Sequence, residues 1–154
     1  MEKLEIVLEN NVKTKQVIVN EVLKDLPEWF RLDDALNEYV INSSKYLLWV
    51  AKENDEILGF ISLKETALKV AEIYCMGVKK EWHKQGVGTR LFASFEKYAK
   101  LNYAYIQVKT VEYGHYKEYD QTINFYKSVG FTEFEVFPTL WNKWNPCLVM
   151  IKAL

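Results

Sequence analysis

Val78-Lys79-Lys80-Glu81-Trp82-His83-Lys84-Gln85-Gly86-Val87-Gly88-Thr89-Arg90-Leu91 is the stretch on which the reading of this chain turns. Upstream, Val70 to Val78 is an apolar, strand-like run. Downstream, Val87, Leu91, Phe92, Phe95, Tyr98 and Ala99 recur at helical spacing as far as Leu101. The stretch therefore joins a strand to the start of a helix. The first N–H groups of a helix lack partners within it. The helix dipole adds partial positive charge at the same place. Gly86 and Gly88 remove Cβ atoms that would hold a phosphate away from the backbone. Lys79, Lys80, Lys84 and Arg90 add charge, which Glu81 partly offsets. The pattern is that of a pyrophosphate seat; its bland alternative is a turn into a helix with solvated lysines. A Walker loop is excluded, because no Gly-Lys-Ser/Thr follows four spacers. A dinucleotide fingerprint would need a third glycine where Leu91 stands, and it normally opens the fold.

Three strands precede this loop in the expected order. Tyr46–Lys52 and Ile57–Leu63 flank the turn Glu53-Asn54-Asp55-Glu56 and form a hairpin. Val70–Val78 is the third strand. Simple alternation puts Ala71, Ile73, Cys75 and Gly77 on one face and Glu72, Tyr74, Met76 and Val78 on the other. Both faces are largely apolar, so both are expected to be covered. Before residue 45, Lys15–Phe30 and Arg31–Ile41 carry helical patterns, the first interrupted by Pro27. After the glycine loop come a strand at Tyr103–Thr110 and a short helix at Asp120–Val129. The expected helix cap is Asp120, and Gly130 closes it in the left-handed conformation. Strands at Thr132–Phe137 and Cys147–Ala153 end the chain. The expectation is a single α/β (α+β) domain over residues 1–154, with a mixed sheet and helices on both faces.

Composition narrows the function. The chain has 154 residues, 49% hydrophobic and 27% charged, with a net charge of -1. Such a balance provides no positive field for nucleic acid or an anionic membrane. The longest apolar run, Tyr46–Ala51, is far shorter than the ~18 residues of a membrane span. No signal peptide is visible at Met1-Glu2-Lys3-Leu4-Glu5. Cys75 and Cys147 stand alone in apolar surroundings, which suits reduced, buried thiols in a cytoplasmic protein. No His/Cys/Asp cluster has metal-ligand spacing, so no metal is expected.

With these residues in place, the chain resembles the GCN5-related N-acetyltransferase (GNAT) family. Its Gln/Arg-x-x-Gly-x-Gly/Ala motif is matched by His83-Lys84-Gln85-Gly86-Val87-Gly88, with His83 where Gln or Arg is usual. Phe125-Tyr126-Lys127-Ser128-Val129-Gly130-Phe131 resembles the family's Tyr-x-x-x-Gly-Phe ending. The likeness covers about residues 45–137. It implies a mixed, mostly antiparallel twisted sheet and transfer of acetyl from acetyl-CoA to an amine. It further implies that the backbone of Lys84, Gln85, Gly86, Val87, Gly88 and Thr89 holds the CoA pyrophosphate. The backbone of Met76, Gly77 and Val78 would pair with the pantetheine arm. A bulge near this point would splay two parallel strands to admit the thioester. Tyr126 matches the tyrosine that protonates the departing thiolate.

An amine arriving as ammonium must lose a proton before it attacks, usually to a carboxylate. Glu72, in an otherwise apolar strand, is the candidate base. Glu112 and Glu118 are weaker alternatives. The next strand offers Gln107 where many family members carry a carboxylate, and Tyr119 replaces a common Asn. For the acceptor, Glu112–Asp120 offers tyrosines and carboxylates, and Phe137–Pro146 adds two indoles. These loops suggest a small amine-bearing acceptor, with a cationic one favoured; a packing cover or homodimer face is the other reading. Cys75 beside the thioester would allow an acyl-cysteine route. Two rival functions are a non-catalytic acyl-CoA sensor and a nucleotide-binding enzyme that uses the same loop.

Overall fold

The computed structural model describes residues 3–30 and 33–154. In chain order it contains β1 (Leu4–Glu9), α1 (Val12–Lys24), α2 (Asp33–Ser43), β2 (Leu47–Glu53), β3 (Glu56–Ala67), β4 (Val70–Val78), α3 (Val87–Asn102), β5 (Tyr105–Val111), α4 (Lys117–Ser128), β6 (Thr132–Asn142) and β7 (Asn145–Ala153). The strands form one sheet in the order β1-β2-β3-β4-β5-β7-β6. Among the described residues, only β4 and β5 pair in parallel; every other neighbouring pair is antiparallel. One apolar cluster lies under α3 and α4, built on Leu91, Phe92, Phe95, Ile123 and Tyr126. A second lies under α1 and α2, built on Ile18, Val22, Leu23 and Leu36. Burying a large apolar side chain contributes about 1.5–3 kcal/mol, so both helical layers are held by their stripes.

Local chemistry explains most boundaries. Asn11 caps α1, its side chain accepting from the Thr14 N–H at 2.9 Å. The helix stops at Lys24, before Pro27, and residues 25–30 turn back through bonds to the Leu26 carbonyl. The break expected at Pro27 within Lys15–Phe30 takes the form of an end to the helix, which also starts earlier than expected, at Val12. Arg31 and Leu32, expected in the second helix, lie outside the described residues. Asn54 and Asp55 both take positive φ (50° and 70°), as a two-residue hairpin turn requires. β1 is an addition to the expected elements. Its half-exposed alternation on the sheet edge gives a weak apolar signal. β6 and β7 also run further than expected, so Phe137–Pro146 belongs largely to a long hairpin.

The decisive irregularity is in β4. Ser62 pairs with Cys75 but Leu63 pairs with Ile73, which leaves Tyr74 as an extra residue. Such a bulge breaks the alternation of side chains. Ala71, Ile73, Met76 and Val78 all pack in the cluster under α3. Tyr74 and Cys75 pack in the cluster under α1 and α2, and a Cβ on Gly77 would meet Val22 at 3.0 Å and Leu26 at 3.1 Å. Glu72 thus shares no face with Met76, contrary to simple alternation.

Candidate active site

β4 and β5 pair only from Val70↔Tyr105 to Ile73↔Val108. β4 continues to Val78 and β5 to Val111 without pairing. The strands therefore splay just where the bulge falls, and β4 from Tyr74 onward has no partner strand on that side. An unpaired strand edge is a template for an extended ligand. Met76, Gly77 and Val78 occupy that edge. Gly77 itself lacks a side chain because α1 lies against it, so its glycine is explained by helix packing.

The loop after β4 leads from this edge to the start of α3. A short 3-10 turn at Lys80–Trp82, with Lys79 before it, is pinned to α1 and the segment that follows α1. Lys79 pairs with Glu21 at 2.6 Å, Lys80 pairs with Glu28, and the Lys80 N–H donates to Asp25 at 2.7 Å. These lysines, expected beside a phosphate, instead anchor the loop. Lys84 and Arg90 are exposed and have no ion pair among the described residues. Lys84 (φ 60°) and Gly86 (φ 83°) are left-handed, and nothing lies within 4 Å of a Cβ built on Gly86. The first turn of α3, Val87 to Thr89, thus opens onto free space beside unpaired cations, a cradle that suits a phosphate. Gly88 serves packing as well: a Cβ there would stand 3.2 Å from the Phe125 ring. His83, in the position that departs from the motif, binds the Val78 carbonyl through Nε2 at 2.6 Å and meets Trp29 edge-on.

α4 begins at Lys117, not at Asp120. Asp120 lies in its first turn and accepts from the Gly114 N–H at 2.9 Å. At its other end the Gly130 N–H donates to Lys127, and the Phe131 N–H to Tyr126. This is the double bond pattern of a left-handed glycine cap, with Gly130 at φ 105°. The cap fixes the last turn, which presents Tyr126. That side chain is buried against Phe125 and Phe131. Burial, with Cys75 and Tyr119 nearby, pushes its hydroxyl well above the ordinary tyrosine range. Burial also pushes the Cys75 thiol up. A buried thiol that keeps its proton is a poor nucleophile.

Trp29, which the helical spacing of Lys15–Phe30 places only in an apolar stripe, has a further role at this site. Its indole donates to the Glu118 carbonyl at 3.2 Å and to Thr122 Oγ1 at 3.3 Å, while the Tyr119 hydroxyl donates to the Trp29 carbonyl at 2.9 Å. This reciprocal clasp ties the segment after α1 to α4. No local sequence pattern announces it, since the partners are about ninety residues apart.

On the α2 side of the sheet lies a cavity of about 320 Å³. α2 supplies Ala35, Glu38 and Tyr39, β3 supplies Lys64, β4 supplies Glu72 and Tyr74, β5 supplies Lys109 and β6 supplies Trp141. Glu72 is 5% exposed. Its Oε1 lies 3.4 Å from Lys109 Nζ, and its buried Oε2 has no hydrogen-bond partner. Tyr74 and Lys109, the first residues of β4 and β5 beyond their last pairing, both line the cavity, so the cavity adjoins the splay. The segment Glu112–Asp120 contributes nothing to the cavity walls. Tyr113 and Tyr116 are exposed, and His115 pairs with Glu112. Of the two indoles Trp141 reaches the cavity, while Trp144 is 71% exposed at the hairpin tip. Gln107 is bonded to Thr66. No described group of three or more His, Cys, Asp or Glu is placed to hold a metal ion. No helix among the described residues is long and apolar enough to cross a membrane.

The acetyltransferase (GNAT) domain family matches residues 44–133, more than half of the chain and both glycine motifs. The chain belongs to the GNAT acetyltransferase family. A GNAT acetyltransferase from Elizabethkingia anophelis, solved with acetyl-CoA bound, has a TM-score of 0.75 at 18% identity, with full coverage of both chains. An acetyltransferase from Streptococcus agalactiae has a TM-score of 0.77 at 19% identity, again over both whole chains. An aminoglycoside 6'-N-acetyltransferase solved with coenzyme A has a TM-score of 0.73 at 20% identity, covering 97% of this chain and 96% of its own. At these identities the likeness is one of fold, and the fold is the mixed GNAT sheet. Comparison with curated protein sequences gives no match.

Proposed function

We propose that this GNAT protein transfers an acetyl group from acetyl-CoA to the primary amine of a small molecule, by direct attack. The observation that carries the reading is the splay of β4 from β5, opening beside the left-handed loop at Lys84–Gly86. The unpaired edge at Met76, Gly77 and Val78 suits an extended amide-bearing arm. The open N–H groups from Lys84 through Gln85, Gly86, Val87, Gly88 and Thr89, with Lys84 and Arg90, suit a pyrophosphate. When bound, acetyl-CoA supplies a thioester whose carbonyl carbon the amine attacks, breaking the C–S bond. Glu72 Oε2, buried and without a partner, takes the proton that the amine sheds. Tyr126, in the last turn of α4, would face the sulfur of the bound thioester. Its hydroxyl holds its proton more tightly than a free phenol. A thiolate is the weaker base, since burial raises the phenol further still. Tyr126 therefore acts chiefly by a hydrogen bond to the charge developing on sulfur, and the final proton comes from solvent. Cys75, protonated and buried, forms no acyl intermediate.

Thermal-shift comparison of acetyl-CoA with ATP and NAD, followed by thiol release on a panel of amines, tests this. Stabilisation by acetyl-CoA and thiol release on at least one amine is the expected result. Stabilisation by ATP or NAD alone would overturn the reading. Tight acetyl-CoA binding without release on any amine would identify an acyl-CoA sensor instead.

A further inference from the structure

The charges around the cavity suggest its occupant. Glu72 is flanked by lysines on both neighbouring strands: Lys64 is its register partner on β3, and Lys109 on β5 pairs with its Oε1. Lys109 has a carboxylate to face. Lys64 has none among the described residues; its ammonium sits 6.0 Å from the Tyr46 ring centre and 5.9 Å from that of Tyr74. The cavity wall thus carries the carboxylate of Glu72, which suits a cation, and the ammonium of Lys64, which has no carboxylate partner among the described residues and suits an anion. Glu38 adds a second carboxylate at the exposed rim. A polycation would find Lys64 and Lys109 repelling it. A volume of about 320 Å³ lies at the small end of ligand sites, which suits a small acceptor. Tyr39, Tyr74 and Trp141 supply flat apolar walls.

We propose that the acceptor is a small zwitterion, a free amino acid with an apolar or aromatic side chain. Its amine lies toward Glu72 and its carboxylate on Lys64. The assignment rests on the transferase reading above and narrows the acceptor from cationic amines to amino carboxylates. Lys64 then sets specificity and takes no part in the chemistry.

The test pairs aromatic and aliphatic L-amino acids with the amines left by removing their carboxyl group, such as phenylalanine with phenethylamine, and adds spermidine. Wild-type protein should favour the amino acid over its amine by about tenfold or more in kcat/KM, roughly one charge-assisted contact. Lys64→Met should raise KM for the amino acid about tenfold, leave kcat nearly unchanged and leave KM for the amine the same or lower, because a repelling charge is gone. Equal or better use of the amine or of spermidine, or a Lys64→Met effect shared by both acceptors, would overturn the proposal. Calorimetric binding to the protein saturated with CoA gives an independent readout. Amino acid binding that Lys64→Met weakens, with no thiol release on any acceptor, would uphold the zwitterion site while the transferase reading fails. Binding indifferent to the carboxylate would overturn the zwitterion site whether or not transfer occurs.

Discussion

At Tyr126 the proposed chemistry rests on one oxygen. Tyr126→Phe keeps the ring packing against Phe125 and Phe131 and removes the donor alone. The expected result is a fall in kcat of about 10², comparable to losing one preorganised hydrogen bond to a developing anion, with KM for acetyl-CoA nearly unchanged. Steady-state thiol release measures both constants. At Glu72, the change to Gln keeps the shape and removes the proton acceptor. Turnover at pH 7 should fall by about 10² or more, and the deficit should shrink by pH 9 as more of the amine arrives already neutral. A deficit equal at both pH values would mean that Glu72 positions the acceptor without deprotonating it. Glu72 also marks the limit of what could be read from residues alone. Its type and its place in an apolar strand were visible. Its face was not, because the bulge at Tyr74 arises from how Ser62 and Leu63 pair with β4.

The elements most legible from sequence are those whose geometry is local. Gly86 is left-handed because the chain must turn from β4 into α3 there. Gly130 is left-handed because it caps α4. Both requirements are written within a few residues. The clasp between Trp29 and α4, the edge strand β1 and the place of Trp141 in the cavity wall were not legible. Each depends on a partner far away in the chain. At Gly130 the local rule gives a stability prediction. A Cβ there would meet Lys152 Cε at 2.9 Å. That lysine is held by Glu96 and donates to the Val129 carbonyl at 2.8 Å, which ties β7 to α3 and to the end of α4. Gly130→Ala should cost at least about 1 kcal/mol from the positive φ alone. Urea unfolding monitored by tryptophan fluorescence measures it. An unchanged midpoint would mean that the cap relaxes freely.

For the molecule as a whole, the titrating groups in the interior predict alkaline weakness. Burial raises Tyr39, Cys75 and Tyr126 above their ordinary values. Each therefore keeps its proton in the folded chain at a pH where the unfolded chain has lost it. Their contribution to stability is intact below the unfolded values, about 8.5 for cysteine and 10 for tyrosine. It drains away as pH rises beyond them. Melting temperatures taken from pH 7 to 11 should fall above about pH 9, and Tyr126→Phe should remove part of the slope. The open seam between β4 and β5 has a mechanical consequence. The sheet is stitched across its middle by pairing over only four residues of β4, Val70–Ile73. The strand group β1–β4 and the strand group β5–β7 are thus two leaves on a short spine. A cosubstrate arm lying along Met76, Gly77 and Val78 would act as a missing rung and stiffen the binding it occupies. Acetyl-CoA should therefore slow amide hydrogen exchange in β4 from Tyr74 to Val78 more than in the outer hairpin β6–β7, and thiol departure would let the leaves breathe again.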